Sequence, residues 1–184
     1  EQARFNMIEQ QIRTWEVLDE RVLDALKAVP REEFVPSKYR RMAFMDVRIP
    51  LGEGQVMLKP VEEGRLLQAL NLSPGQTVLE VGTGYGFLTA CLAELGGQVM
   101  SVEIHPRFVE AAQGRLTQAG VDDVAVVEGD ALDADFMDSG VLGSGQFDCV
   151  VATSSAATVP EGLMRRVAIG GRLVAIRGHS PAME

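Results

Sequence analysis

The chain has 184 residues, of which 46% are hydrophobic, and this length suits one well-covered core better than two. Its formal net charge of −9 repels a phosphate backbone, and its lysines and arginines are scattered, so nucleic acid is a poor candidate partner. No stretch approaches the roughly 20 apolar residues of a membrane helix, and the two cysteines have neither metal-ligand nor disulfide-framework spacing. We therefore expect a soluble, cytoplasmic protein without a metal site, and a monomer is the favoured state.

The first 60 residues divide into a helical part and an irregular part. Apolar residues recur at three-to-four spacing from Met7 to Val29 and predict helix over residues 1–30, ended by Pro30. From there to Pro60 the periodicity is broken by repeated prolines and glycines, which predicts a long ordered loop. Long loops in compact domains tend to be functional, so this segment is a candidate part of a site.

From Pro60 onward the pattern alternates between helix and strand. A helix is predicted directly after Pro60, and a turn follows at residues 74–75. Strands are expected at Thr77–Val81, Gln98–Val102, Val124–Val127, Phe147–Ala152 and Arg172–Ile176, and helices at about 86–95, 106–119 and 160–168. Most of these strands are continuous apolar runs, as in a parallel sheet buried on both faces. The sequence therefore predicts a doubly wound, Rossmann-like α/β fold with an N-terminal helical cap, and a surface loop at 138–146.

The most informative motif is the glycine-rich turn after the first of these strands. Residues 78–86 read Val-Leu-Glu-Val-Gly-Thr-Gly-Tyr-Gly, with a strand before the glycines and a helix after them. Glycines let the backbone turn tightly and approach a ligand, and the helix N-terminus offers N–H donors. The motif predicts a nucleotide-type ligand. The alternative, that the glycines only connect a strand to a helix, is disfavoured because an acidic residue follows the next strand.

The spacing of the glycines favours S-adenosylmethionine over a dinucleotide. A dinucleotide motif would place Gly or Ala three residues after Gly84, where Phe87 stands, and here the third glycine is Gly86. Glu80, at the end of the strand, would repel a pyrophosphate but would suit the ammonium and sulfonium charges of S-adenosylmethionine. The pattern Glu80-x-Gly82-x-Gly-x-Gly resembles the first motif of the class I methyltransferases.

Acidic residues also follow the next two predicted strands. Glu103 lies about 20 residues after the glycine turn, where a nucleotide-binding fold places a carboxylate on ribose hydroxyls. An isolated acid at a strand end is more often a solvated surface residue, but the register with the glycine loop favours the ligand interpretation. Asp130 could accept a hydrogen bond from the exocyclic amine of adenine, with Ala131 leaving room for the ring. Taken alone, an Asx turn explains Asp130 equally well.

A run of small residues at 152–160, Ala-Thr-Ser-Ser-Ala-Ala-Thr-Val-Pro, follows the fourth predicted strand. It lies at the sheet edge where ligands collect, and it is either part of a substrate site or a polar turn with Thr158 as helix N-cap. It lacks the Asn/Asp-Pro-Pro-aromatic signature of enzymes that methylate exocyclic amines of bases. The two histidines, His105 and His179, have no partner at triad or metal spacing, so we interpret them as surface or ribose-edge residues.

Six segments, in chain order, resemble the protein L-isoaspartate O-methyltransferase family. They are Gln10–Arg13, Val29–Pro36, Ile49–Gln55, the glycine motif, Val102–Glu103 and Gly170–Val174. The match covers nearly the whole chain, and the blocks Pro-Arg-Glu-Glu-Phe-Val-Pro and Pro-Leu-Gly-Glu-Gly-Gln are narrower signals than the glycines. The resemblance implies S-adenosyl-L-methionine as the methyl donor. It also implies, as acceptor, the abnormal aspartyl carboxylate of a protein or peptide, with a small carboxylate as an alternative.

The chain departs from the family pattern at two places. The family usually continues Gly-Gln-Thr-Ile-Ser-x-Pro, with the serine in the active site, whereas residues 54–60 read Gly-Gln-Val-Met-Leu-Lys-Pro. Leu58 replaces the serine and Val56 the threonine, which removes two hydroxyls that could hydrogen-bond, while Lys59 could bind an acidic group instead. The second departure is the final hairpin of class I methyltransferases, whose strands are expected to be absent from this chain.

Motifs and resemblance together predict one methyltransferase domain, with residues 1–60 as cap and active-site loop and 61–184 as cofactor-binding α/β core. The predicted cofactor-binding residues are Glu80, Gly82, Thr83, Gly84, Tyr85, Gly86, Glu103, Ile104, Asp130 and Ala131. The predicted substrate-binding residues are Gln55, Val56, Lys59, Thr153, Ser154 and Ser155, and Leu58 occupies the catalytic position. Three hypotheses stay open: an isoaspartyl carboxyl methyltransferase, a methyltransferase of the same fold with another acceptor, and a cofactor-binding protein without isoaspartyl repair activity.

Overall fold

The N-terminal segment is helical, as the apolar spacing predicts, but it is divided into two parts. The structure is a computed structural model that describes residues 1–179 and 182–183. Helix α1 (Gln2–Asn6) continues through a π-helical segment (Met7–Ile12) and a 3-10 turn (Arg13–Trp15). Glu16 then adopts a left-handed conformation with φ 63°, which ends the helix, and α2 (Glu20–Ala28) begins after Asp19. The Asp19 side chain caps α2 by accepting a hydrogen bond from the N–H of Arg21.

The segment predicted as a long ordered loop contains short regular elements. Two 3-10 turns, Arg31–Glu33 and Ser37–Met42, are followed by an antiparallel hairpin of β1 (Ile49–Gly52) and β2 (Gln55–Met57). The prediction of a loop without strands was therefore wrong for the hairpin. Strands of three or four residues are too short to show a reliable alternation, and the proline and glycines in and beside them indicate a loop instead. Helix α3 (Pro60–Leu70) follows, as predicted.

A six-stranded sheet forms the centre of the α/β part. Its strands are β3 (Thr77–Val81), β4 (Gln98–Glu103), β5 (Val124–Glu128), β6 (Phe147–Ala156), β7 (Val167–His179) and β8 (Ala182–Met183). Their order across the sheet is β5-β4-β3-β6-β7-β8, and every pair is parallel except β7 and β8. The chain order reverses on either side of β3, which creates the crevice where doubly wound folds bind ligands. The prediction of this fold is confirmed.

Two strands are longer than the sequence pattern indicates. β6 continues through Thr153 to Ala156, where a loop was predicted, and its pairing with β7 is irregular between Ala152 and Ala156. β7 begins at Val167 rather than at Arg172. Small and polar residues carry little apolar signal, so the pattern underestimates strands that backbone pairing extends. The prediction that the final strands are absent was wrong in part, because the two-residue strand β8 pairs with Gly178 and His179. A strand of two residues is too short to give a sequence pattern.

Helices connect consecutive strands of the sheet along the chain. They are α4 (Phe87–Glu94), α5 (Pro106–Gln118), α6 (Ala134–Asp138) and α7 (Glu161–Arg165). α6 was not predicted because five residues are too few to show a helical period, and the helix predicted at 160–168 is shorter because β7 follows it closely. The segment after α6 connects to β6 through turns, in agreement with the predicted surface loop.

The N-terminal cap and the sheet share one apolar core. Met7, Ile12 and Leu26 of the cap belong to the same buried cluster as Val78 of β3 and Cys91 of α4. This continuity fixes the position of the cap, and therefore of the hairpin after it, against one face of the sheet. Within the described residues, no helix has the length and apolarity to span a membrane.

Candidate active site

A cavity of about 360 Å³ opens at the carboxyl ends of β3, β4, β5 and β6. It is lined by Leu51, Gln55, Val56, Leu58, Val81, Gly82, Gly84, Val102, Glu103, Ile104, His105, Phe108, Gly129, Asp130, Ala131, Leu132, Thr153 and Ser154. The structure thus brings together eleven of the predicted site residues, which come from separate segments of the sequence: Gln55, Val56, Leu58, Gly82, Gly84, Glu103, Ile104, Asp130, Ala131, Thr153 and Ser154.

The glycine loop between β3 and α4 fits closely against β6. Gly82 has φ 98°, and a Cβ atom there would lie 2.4 Å from Oγ1 of Thr153. That hydroxyl donates a hydrogen bond to the carbonyl of Gly82 at 2.8 Å. Only glycine satisfies both the backbone conformation and the space at this position.

Glu103 is a carboxylate held in place by backbone donors. Its Oε2 accepts from the N–H of Gly84 at 2.9 Å, and its Oε1 accepts from the N–H of His105 at 3.0 Å. The residue is 5% exposed and lines the cavity. A carboxylate has about four acceptor sites, so each oxygen of Glu103 can accept one more hydrogen bond from a ligand.

Glu80 lies behind the glycine loop and not in the cavity lining. Its Oε2 accepts hydrogen bonds from Thr89 at 2.5 Å and Ser101 at 2.6 Å, and the Ser101 hydroxyl is also 2.5 Å from that of Thr83. Its Oε1 has no hydrogen-bond partner among residues 1–179 and 182–183. Burial raises the pKa of Glu80 to about 7. The structure therefore connects Glu80 to the glycine loop through hydroxyls, and the predicted direct contact with a cofactor stays a prediction.

Asp130 forms the Asx turn considered from the sequence and also lines the cavity, so its predicted contact with adenine stays a prediction. Its Oδ1 accepts from the N–H of Leu132 at 2.8 Å, which is the Asx turn, and the residue also lines the cavity. Ala131 beside it is buried, whereas Ile104 at the end of β4 is 54% exposed. Asp130, Ala131 and Ile104 thus contribute a carboxylate and apolar surface to the same cavity lining.

Another part of the lining is apolar and belongs to the hairpin and the segment after it. Leu51, Val56 and Leu58 line this side, with Gln55 and, from β6, Ser154 as the polar residues. Lys59 lies outside the lining, and its Nζ is 3.7 Å from Oδ2 of Asp46.

The remaining predicted residues have other positions. Tyr85 and Thr83 line a smaller adjoining cavity of about 50 Å³, and Tyr85 packs edge-on against Phe108. Gly86, with φ 88°, precedes α4 as its N-cap. The side chain of Ser155 lies outside the described part of the chain.

The sequence did not predict a buried ion pair between the first 3-10 turn and α3. Arg31 and Glu63 are 0% and 3% exposed, and Glu63 lines the smaller cavity. Burial raises the pKa of Glu63 to about 7 against the opposing effect of the Arg31 charge. The sequence carries no usable signal for this pair, because Arg31 and Glu63 each stand next to a glutamate and read as ordinary surface charges.

The strand order, the glycine loop after β3 and the carboxylate at the end of β4 define a class I methyltransferase of the Rossmann type. A structure from Plasmodium falciparum, described as a protein-L-isoaspartate O-methyltransferase in complex with S-adenosyl-L-homocysteine, has the same fold. It aligns with a TM-score of 0.81 and 18% identity, covering 97% of this chain and 85% of that chain.

The chain belongs to the protein-L-isoaspartate(D-aspartate) O-methyltransferase family, whose model matches residues 2–180. A Methanoculleus marisnigri protein named protein-L-isoaspartate O-methyltransferase is 38% identical over 94% of this chain and 76% of its own length. A Methylorubrum populi protein of the same name is 37% identical over 94% of this chain and 78% of its own length. The predicted family, and with it dependence on S-adenosyl-L-methionine, is confirmed.

Proposed function

We propose that this chain methylates the abnormal aspartyl carboxylate of damaged proteins or peptides in the cytoplasm, as a repair reaction. The observation that carries the proposal is the cavity that joins the ends of four parallel strands to the hairpin wall. One part of the lining presents carboxylates, and another part is an apolar wall with few polar groups. A donor and an acceptor of different chemistry can therefore meet in it.

The residues around Glu103 and Asp130 fit S-adenosyl-L-methionine. Glu103 would accept from the ribose hydroxyls and Asp130 from the adenine amine, with Ala131 and Ile104 beside the ring. The lining contains no Lys or Arg among the described residues, so the phosphates of a dinucleotide would find no cationic side chain there. When bound, S-adenosyl-L-methionine supplies an electrophilic methyl group on a sulfonium.

The acceptor carboxylate would bind beside the apolar wall of the hairpin and Leu58. A carboxylate is already ionised at neutral pH, so the reaction requires position and exclusion of water rather than a general base. Leu51, Val56 and Leu58 would exclude water, while Gln55 and Ser154 would offer hydrogen-bond donors. Thr153 supports the glycine loop because its hydroxyl donates to Gly82.

A different acceptor is the second candidate, and the apolar side chains of Leu58 and Val56 favour it. Both residues line the cavity where the family pattern has hydroxyls, and Val56 is 45% exposed. An acceptor carboxylate there loses two potential donors. A small-molecule carboxylate, or cofactor binding without isoaspartyl methylation, therefore stays a defined alternative.

The test offers labelled S-adenosyl-L-methionine with an isoaspartyl peptide, the same peptide with normal aspartate, and a cell extract. Transfer to the isoaspartyl peptide alone, as a base-labile ester, supports the proposal. Transfer only to a component of the extract would replace it with the second candidate. Saturable cofactor binding without transfer to any of the three would leave a cofactor-binding protein.

A further inference from the structure

We propose that Arg31 and Glu63 form a positioning pair that fixes the Leu58 wall of the acceptor site against the helix that follows the glycine loop. The proposal rests on the proposed function, because it assigns the wall at Leu58 to the acceptor. Neither residue lines the main cavity, so they act through the segments that they hold.

Arg31 uses its guanidinium to join separate parts of the chain. Nη2 donates to the carbonyl of Leu58 at 2.7 Å, and Nε donates to the carbonyl of Ala43 at 2.8 Å. Nη1 pairs with Oε2 of Glu63 on α3. The same group lies 4.6 Å from the ring centroid of Phe87, the first residue of α4. One buried side chain thus contacts the acceptor wall, the cap and two helices.

The contacts converge on the smaller cavity that adjoins the main one. Leu58, Glu63 and Phe87 line it together with Gly82 and Gly84 of the glycine loop. A shift of the Leu58 backbone would therefore change the distance between the acceptor wall and the cofactor side. The Arg31 contact opposes that shift because it holds the Leu58 carbonyl directly.

Stability alone is a weak explanation for this arrangement. A buried ion pair often contributes no more than well-packed apolar residues of similar volume. A planar guanidinium instead has donors in fixed directions, and these constrain its partners in orientation as well as distance. Arg31 satisfies this geometry with two carbonyls and one carboxylate on different segments.

The test places a reporter at the wall itself. In the Leu58→Cys variant, alkylation by a small thiol reagent reports exposure of the wall, since the native Cys91 and Cys149 are buried. Arg31→Lys is then added, which keeps the charge but cannot make the same three contacts. Arg21→Lys is the matched control, because Arg21 also donates to a carbonyl, that of Leu72 at 2.9 Å, away from the site.

We expect Arg31→Lys to raise the alkylation rate about tenfold, and Arg21→Lys to leave it within about twofold. Affinity for S-adenosylhomocysteine, measured by calorimetry, should stay within about twofold in every folded variant. For an acceptor that the parent methylates, kcat/KM should fall in the Arg31→Lys variant. Equal alkylation rates in the Arg31 and Arg21 variants would overturn the proposal.

Glu63→Gln provides a second measurement if Arg31→Lys does not fold. It keeps an oxygen that accepts from Arg31 but removes the charge, so a smaller rise in alkylation, about threefold, is expected. An unchanged rate in this variant would also refute the proposal. Failure of the parent to bind S-adenosylhomocysteine would instead refute the proposed function, which separates the two outcomes.

Discussion

The two sides of the cavity are held in place by different means. On the proposed cofactor side, Glu103 is fixed by two backbone N–H donors, and Gly82 packs tightly against Thr153. On the proposed acceptor side, the wall is a short hairpin and the segment up to Leu58, whose carbonyl accepts a hydrogen bond from the side chain of Arg31. The first set of contacts lies at the ends of neighbouring strands of the sheet, whereas the second joins segments that are far apart in sequence.

The largest effect is expected for Gly82→Ala, because the added methyl group would clash with the Thr153 hydroxyl. A positive φ is unfavourable for alanine by about 1–2 kcal/mol, and the clash with Thr153 adds about 1–3 kcal/mol. Gly120→Ala is the control, since Gly120 has φ 72° and open space where a Cβ atom would lie. Denaturant unfolding should show the larger loss for Gly82→Ala, and equal losses would mean that the Thr153 contact is relaxed.

Leu58→Ser tests the acceptor side. We expect isoaspartyl methylation by the parent to be weak, because a lost charge-assisted hydrogen bond raises the barrier by about 1.5–3 kcal/mol, which slows the reaction by roughly one to two orders of magnitude. The Leu58→Ser variant, and the double variant with Val56→Thr, should methylate an isoaspartyl peptide faster than the parent by that factor at saturating donor. Cofactor affinity, measured in parallel, should not change.

Two results would count against this view of the acceptor side. A parent already faster than both variants would show that the hydroxyls are dispensable. A double variant that binds cofactor but stays inactive would mean that the acceptor site differs more widely from that of its relatives.

The same contrast explains what could be predicted from sequence. The sheet, and the placement of Gly82, Glu103 and Asp130 in one crevice, follow from strand spacing, because parallel strands bring their carboxyl ends to one edge. The hairpin and the Arg31–Glu63 pair could not be placed in this way. Their positions depend on contacts between segments far apart in sequence, and periodicity carries no information on such contacts.

Glu103→Ala sharpens the comparison on the cofactor side. In its proposed role Glu103 accepts hydrogen bonds from the ribose hydroxyls, so its removal should weaken binding of S-adenosylhomocysteine by about 1–3 kcal/mol. Calorimetry checks the affinity, and circular dichroism checks that the fold is intact. Asp133→Ala is a useful control, because Asp133 is an exposed acid that caps α6 outside the cavity lining. Unchanged affinity in a folded Glu103→Ala protein would remove Glu103 from the site.

Glu80 makes the cofactor side sensitive to pH. Its pKa is about 7 in the folded chain, above the ordinary value of 4.5, because the carboxyl is buried. The folded chain favours the protonated carboxyl, so Glu80 adds to the free energy of unfolding at low pH. This contribution is fully present below pH 4.5 and is lost as the pH rises through 7, by about 1–3 kcal/mol. Glu80→Gln stays neutral throughout, so its unfolding free energy should fall less over this range. If the unfolding free energies of the parent and Glu80→Gln changed in parallel with pH, the raised pKa could not belong to Glu80.

The smallest effect is expected for Arg107→Ala, which tests how firmly the hairpin tip is attached. Nη1 of Arg107, on α5, is 3.5 Å from Oε1 of Glu53 at the tip, and both side chains are largely exposed. An exposed ion pair of this kind contributes about 0.2–1 kcal/mol and is screened by salt. Unfolding free energies of parent, Arg107→Ala and Glu53→Gln should therefore differ by less than about 1 kcal/mol at low salt and converge at high salt. A larger, salt-independent loss would show that the acceptor wall is attached as firmly as the cofactor side, and the contrast between the two sides would then rest on chemistry alone.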